Sequence, residues 1–127
     1  MITTVRSPQD LTDAAARGAA LLEGASAEDV LAWAAEEFGD GLAVTASMQD
    51  TVLTHLAARV KPGIEVLFLD TGYHFVETIG TADAVDAVYD VTLRRLLPLL
   101  TVEQQDAQYG PELFSRNPDL CLSLIHI

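Results

Sequence analysis

The sequence predicts an α/β domain built on a parallel sheet and preceded by helices. Three observations carry this. From Leu42 onward, short apolar runs bounded by turn residues alternate with longer segments of helical period. The order β-α-β-α-β is one that right-handed crossovers fold into a parallel sheet. Residues 1–39 carry two helical patterns and no strand pattern.

The elements follow in chain order. Pro8 to Leu22 is helical, with Leu11, Ala15, Gly18 and Leu22 on one stripe and Gly24 as the stop. Ser26-Ala27-Glu28-Asp29 resembles a capping box and opens a second helix. Its apolar stripe is Val30, Leu31, Ala34, Ala35 and Phe38, and Trp33 serves to pack the helical pair. Gly39-Asp40-Gly41 is a turn. Leu42 to Thr45 reads as a short buried strand. A helix from Gln49 to Val60 turns Val52, Leu53, Leu56 and Val60 inward and ends at Lys61-Pro62-Gly63. Ile64 to Leu69 is the clearest strand, stopped by Asp70-Thr71-Gly72. Phe75 to Tyr89 is a helix with Phe75, Ile79, Ala82 and Tyr89 on one face. Asp90 to Leu96 forms the third strand, ending before Pro98. Thr101-Val102-Glu103-Gln104 is a capping box that opens a short helix ending near Gly110-Pro111.

Composition limits the function classes. With 127 residues, half of them apolar, the chain can bury a core of its own, which excludes disorder. The net charge is −12 and no basic patch exists, which argues against nucleic acid and anionic membranes as partners. An anionic ligand would need a local device, such as the N–H groups at a helix start. No apolar run reaches the roughly 18–20 residues of a membrane span. Met1 to Asp10 lacks the pattern of a signal peptide. The single cysteine, Cys121, excludes an internal disulfide framework and suits a reducing cytoplasm.

Ligands of parallel sheets sit beyond the carboxyl ends of the strands, where two loops concentrate the informative residues. The first runs Thr45-Ala46-Ser47-Met48-Gln49-Asp50. Its small residues let backbone approach a ligand, and the hydroxyls of Thr45 and Ser47 suit a phosphate or sulfate. The simpler reading is that Ser47 caps the following helix. The loop lacks the glycines and lysine of a P-loop. The second is Leu69-Asp70-Thr71-Gly72-Tyr73-His74-Phe75. Asp70 can accept from a ribose or cap the next helix, Gly72 permits a tight turn, and Tyr73 and His74 could line a nucleotide pocket. The three histidines show no metal-ligand spacing, and His55 reads as a surface residue. Arg94 and Arg95, at the end of the third strand, are most simply an exposed pair relieving an acidic surface. Tyr109 reads as a packing residue.

Taken together, these segments resemble the adenylyl-sulfate and phosphoadenylyl-sulfate reductases. Ala46 to Leu56 is similar to that family's modified pyrophosphatase-type loop. Leu69 to Phe75, followed by Glu77-Thr78, closely matches its second motif. Gln105 to Pro111 and Phe114 to Cys121 also resemble it, the latter approaching the paired cysteines of the iron–sulfur, adenylyl-sulfate-using branch. The resemblance implies a Rossmann-like sheet of the adenine nucleotide alpha-hydrolase-like group. It implies binding of adenylyl sulfate or 3′-phosphoadenylyl sulfate by Thr45, Ser47, Gln49, Asp50, Asp70, Thr71, Gly72, Tyr73, His74 and Arg116. It also implies the reaction. A C-terminal cysteine attacks the substrate sulfur, the nucleotide leaves, and thioredoxin releases sulfite. In the first branch a [4Fe–4S] cluster is held by a Cys-Cys pair and a Cys-x-x-Cys.

The sequence departs from this pattern. Cys121 matches the first cysteine of the pair, but Leu122 follows. With one cysteine, no cluster is expected in this fragment, and no catalytic residue is assigned. Leu122-Ser123-Leu124-Ile125-His126-Ile127 resembles an in-frame translation of a sequencing adapter. The alternative is a genuine apolar strand. The expected organisation is therefore a helical segment, 1–39, a partial nucleotide-binding domain, 40–121, and a non-native tail, 122–127. Such an N-terminal half would be inactive and would self-associate through an open strand edge. The rival readings are a phosphoadenylyl-sulfate reductase without a cluster and a non-catalytic flavodoxin-like binding module.

Overall fold

The computed structural model describes residues 5–125. The absence of a signal pattern in Met1 to Asp10 falls partly outside that range, and His126 and Ile127 of the tail lie wholly outside it.

Two helices come first. α1 (Pro8–Leu21) starts on Ser7, whose side chain accepts from the Asp10 N–H while Asp10 accepts from the Ser7 N–H. α2 (Ala27–Phe38) starts on Ser26, which accepts from the Asp29 N–H. The return bond of a full capping box is not among the contacts of α2. Of the expected α1 stripe Gly18 is buried and Leu22 half-buried, whereas Leu11 and Ala15 are exposed and Ala14 is buried in their place. Gly18 accommodates the Trp33 ring, since a Cβ there would stand 2.6 Å from Trp33 Cη2. Trp33 thus packs the helical pair as expected.

A single 3-10 turn, Gly39–Gly41, leads into β1 (Ala43–Thr45), α3 (Val52–Val60), β2 (Ile64–Leu69), α4 (Val76–Val88) and β3 (Val91–Leu96). The three strands pair in parallel in the order β1-β2-β3, as the alternation predicts. Val44 lies opposite Val66, and Val66 opposite Leu93. β1 is not the fully buried strand expected, since only Val44 is buried and its neighbours Ala43 and Thr45 are exposed.

β2 carries the core. Ile64, Val66 and Phe68 point to one face and are buried with Ala57 of α3 and Ala82 and Val85 of α4. The opposite face of β2 is more open, with Leu69 exposed and Glu65 paired to Arg94 of β3. Arg95 pairs with Asp83 at 2.6 Å. Both arginines lie within β3 and are engaged by carboxylates, in line with the simpler reading.

The inward face of α3 departs from expectation, while that of α4 departs at Phe75 and holds at Ile79, Ala82 and Tyr89. α3 begins at Val52, not Gln49, because Asp50 Oδ1 accepts from the Val52 N–H and closes the preceding loop. Its buried residues are Thr54 and Ala57, while Val52 and Leu53 are exposed. α4 begins after Phe75, which stands 81% exposed, and buries Ala82 and Val85. In α3 the small residue Ala57 lets the helix approach the sheet while Val52 and Leu53 turn outward; in α4 Ile79, Ala82 and Val85 all face the core.

Beyond β3, α5 (Val102–Tyr109) opens with the full capping box of Thr101 and Gln104. α6 (Leu113–Arg116) and α7 (Pro118–Ile125) follow. The strand alternative for the tail is overturned: residues through Ile125 are helical. Among the described residues, no helix is long and apolar enough to cross a membrane.

Candidate functional site

A cavity of about 500 Å³ opens at the carboxyl ends of β1 and β2. Thr45, Ala46 and Ser47 line it from the first loop, Leu67, Leu69 and Thr71 from β2 and its extension, and His74 from the second loop. Of the residues expected to bind substrate, it brings together Thr45, Ser47, Thr71 and His74. Ser47 is not a helix cap, because α3 starts at Val52 with Thr51 in the capping position. Its hydroxyl is free to face the cavity. The Ala46 N–H is already given to the Leu67 carbonyl at 3.0 Å. Next to Ser47, Met48 takes a positive φ of 61° with a buried side chain. That kink ends the strand direction and swings the chain toward α3.

The remaining expected residues stand elsewhere. Gln49 and Asp50 are exposed in the loop before α3. Asp70 does not cap α4; its Oδ1 accepts from the Gly72 N–H at 3.1 Å. Asp70 and Gly72 line a smaller cavity, about 270 Å³, formed with residues 97–102. Arg116 donates to the carbonyls of Pro111 at 3.1 Å and Tyr109 at 2.7 Å, and so closes the loop between α5 and α6. His55 is exposed, as expected. Tyr109 is half-buried, and its hydroxyl accepts from Gln108.

Tyr73 belongs to a third cavity of about 470 Å³, lined also by Thr71, Phe114, Pro118, Cys121, Leu122 and Ile125. Cys121 is 5% exposed there. Burial, then the nearby Asp106 carboxylate and Cys121, push the Tyr73 hydroxyl pKa upward. Gln105 joins the group. Its Nε2 donates to the Tyr73 hydroxyl at 3.1 Å and to Cys121 Sγ at 3.9 Å. Gln105 is buried. The segment from Gln105 to Pro111 carries the family resemblance, but nothing local to it points to Tyr73 or Cys121, both distant along the chain.

The donor set does not fit an iron–sulfur cluster. Cys121 is the only cysteine of the sequence, whereas four thiolates hold a [4Fe–4S] centre. Among the described residues no group of three or more His, Cys, Asp or Glu side chains converges.

Known proteins resemble this chain. Residues 41–126 match the family described as the phosphoadenosine phosphosulfate reductase domain. An adenosine 5′-phosphosulfate reductase of Streptomyces coelicolor is 56% identical over 119 residues, covering 94% of this chain and 50% of that protein. One of Mycolicibacterium smegmatis is 52% identical over 121 residues, covering 95% and 51%. The chain thus spans about half the length of these curated relatives. A solved phosphoadenylyl-sulfate reductase from Candida auris, in a phosphate complex, superposes with a TM-score of 0.74 at 26% identity. It covers 98% of this chain and 61% of that one.

Proposed function

The chain belongs to the phosphoadenosine phosphosulfate reductase domain family, and from that membership we propose that it is the nucleotide-binding half of an adenylyl-sulfate reductase. The observation that carries the reading is the strand-end cavity, where Thr45, Ser47, Thr71 and His74 meet at the carboxyl ends of parallel strands. Hydroxyls and an imidazole suit the anionic end of a sulfonucleotide. Gln49, Asp50, Asp70, Gly72, Tyr73 and Arg116 complete the proposed substrate-binding set.

The whole reductase would form sulfite and AMP. A thiolate attacks the sulfur of adenylyl sulfate, the S–O bond to the nucleotide breaks, and AMP leaves with that electron pair. A dithiol protein such as thioredoxin then reduces the S-sulfocysteine, releasing sulfite and becoming a disulfide. This chemistry belongs in a reducing cytoplasm. The chain's own part is to bind and orient the nucleotide. Cys121, buried and held by Gln105, is not placed to attack. No step runs through a cluster that these residues do not fit.

A second reading is use of 3′-phosphoadenylyl sulfate, favoured by the likeness to the Candida auris reductase. The curated relatives at 56% and 52% identity weigh toward adenylyl sulfate. Titration calorimetry of the chain with AMP and with adenosine 3′,5′-bisphosphate decides. Tighter AMP binding supports adenylyl sulfate, and tighter bisphosphate binding supports the second reading. A folded chain that binds neither is a non-catalytic module instead.

A further inference from the structure

His74 is the one ionisable side chain lining the strand-end cavity. Its ring lies against buried Phe68, with centroids 5.1 Å apart and planes at 30°. Its Nε2 stands 2.8 Å from the Leu69 carbonyl oxygen. A carbonyl has no proton to give, so the hydrogen of this bond sits on Nε2. In the neutral ring Nδ1 then carries a lone pair, and an added proton can go only there. The stack and the hydrogen bond fix the ring plane and the tautomer together.

The other lining residues contribute hydroxyls, alkyl groups and backbone, and no charge. The charged side chains of the two adjoining loops and the first turn of α4, other than His74, are acidic. Asp50 is bound to the Val52 N–H, Asp70 to the Gly72 N–H, and Glu77 lies in the first turn of α4. The arginines of β3 are already engaged by Glu65 and Asp83. With a net charge of −12, the chain repels an anion generally.

We propose that His74 is the charge-matching residue of this site: the anionic group of the ligand binds beside a ring protonated at Nδ1, so that ligand and proton are taken up together. The proposal rests on the nucleotide reading above. Because the bound anion favours the imidazolium, binding tightens as pH falls and weakens as pH rises. The bound anion strengthens proton uptake by the same factor.

The test uses the 127-residue chain. Inorganic sulfate and adenosine 5′-phosphosulfate, both fully ionised across the imidazole range, are titrated at about pH 5.5 and about pH 8. Each should bind roughly tenfold tighter at the lower pH. H74Q should bind at the native high-pH level at both. If that variant misfolds by circular dichroism, H74F, which keeps the stack on Phe68, takes its place. Nitrogen-15 NMR of the free chain should show the ring as the Nε2–H tautomer.

An Nδ1–H tautomer overturns the proposal without reference to any ligand. So does pH-independent binding by the native chain, or a pH dependence that survives in the variant; in those cases the nucleotide reading stands. Failure of a natively folded chain to bind adenosine 5′-phosphosulfate at either pH overturns the nucleotide reading, and the proposal with it.

Discussion

Gly72 shows how much a single position constrains the second loop. Its φ is +82°, and a Cβ would stand 2.9 Å from Val102 Cγ2. Gly72→Ala should therefore destabilise the chain by about 1–3 kcal/mol, through left-handed strain and the clash with α5. Chemical denaturation measures it; an unchanged midpoint would show that the loop reshapes freely. Gly72 was legible as a turn residue because Asp-Thr-Gly after an apolar run announces a strand end. Thr45, Ser47, Thr71 and His74 were legible for a related reason, since strand-end positions follow from the strands. Gln105 was not. Its partners lie 32 and 16 residues away, and only the packed loops bring them together.

The helices and strands were readable to different degrees. β2 has the bounds expected of it because a six-residue segment, apolar but for Glu65, stands between glycine and aspartate turn residues. The capping box of α5 is a local bond pair and needed no tertiary context. Periodicity finds Gly18 of α1 and Ile79, Ala82 and Tyr89 of α4, which do face inward. It overweights large apolar residues elsewhere: Leu11, Val52, Leu53 and Phe75 are exposed, and Ala14 and Ala57 are buried in close helix packing. The pairing of α1 with α2 also depends on a charge cluster. Glu37 Oε1 receives Arg6 at 2.6 Å and Arg17 at 2.9 Å. The Arg6 hydrogen bond, opposed by burial and aided by Arg17, holds the Glu37 carboxyl below its ordinary value of 4.5. A carboxyl depressed in the folded state stabilises it above that value, and the contribution is lost as pH falls through the folded value. Glu37→Gln should thus lower the melting temperature at neutral pH, with the gap to native closing as pH drops below 4.5. Melting curves monitored by circular dichroism across that window test it. A gap independent of pH would mean that shape, not charge, is what Glu37 contributes.

Taken whole, the described chain is a three-stranded parallel sheet whose core face is well covered and whose other face is partly open. Parallel sheets are ordinarily covered on both faces. β1 offers a free edge of only three residues, and Val52, Phe75, Val76 and Leu99 add exposed apolar surface. The isolated chain should therefore self-associate at micromolar concentration, and Ala43→Lys on the edge strand should reduce it. Sedimentation velocity reads both, and a monodisperse monomer would remove the edge from consideration. The architecture itself was legible because alternation fixes parallel pairing. The uncovered face was not, since hydrophobic pattern says which residues avoid water but not what covers them.

Thr71 belongs to two cavities at once, the one facing His74 and the one beside Cys121. The two spaces therefore share one side chain in their walls. Any occupant that displaces Thr71 toward one side changes the room left on the other, and by thermodynamic reciprocity the second occupant acts back on the first with equal free energy. Thr71 is thus a side chain through which the space beside His74 and the space beside Cys121 can act on each other.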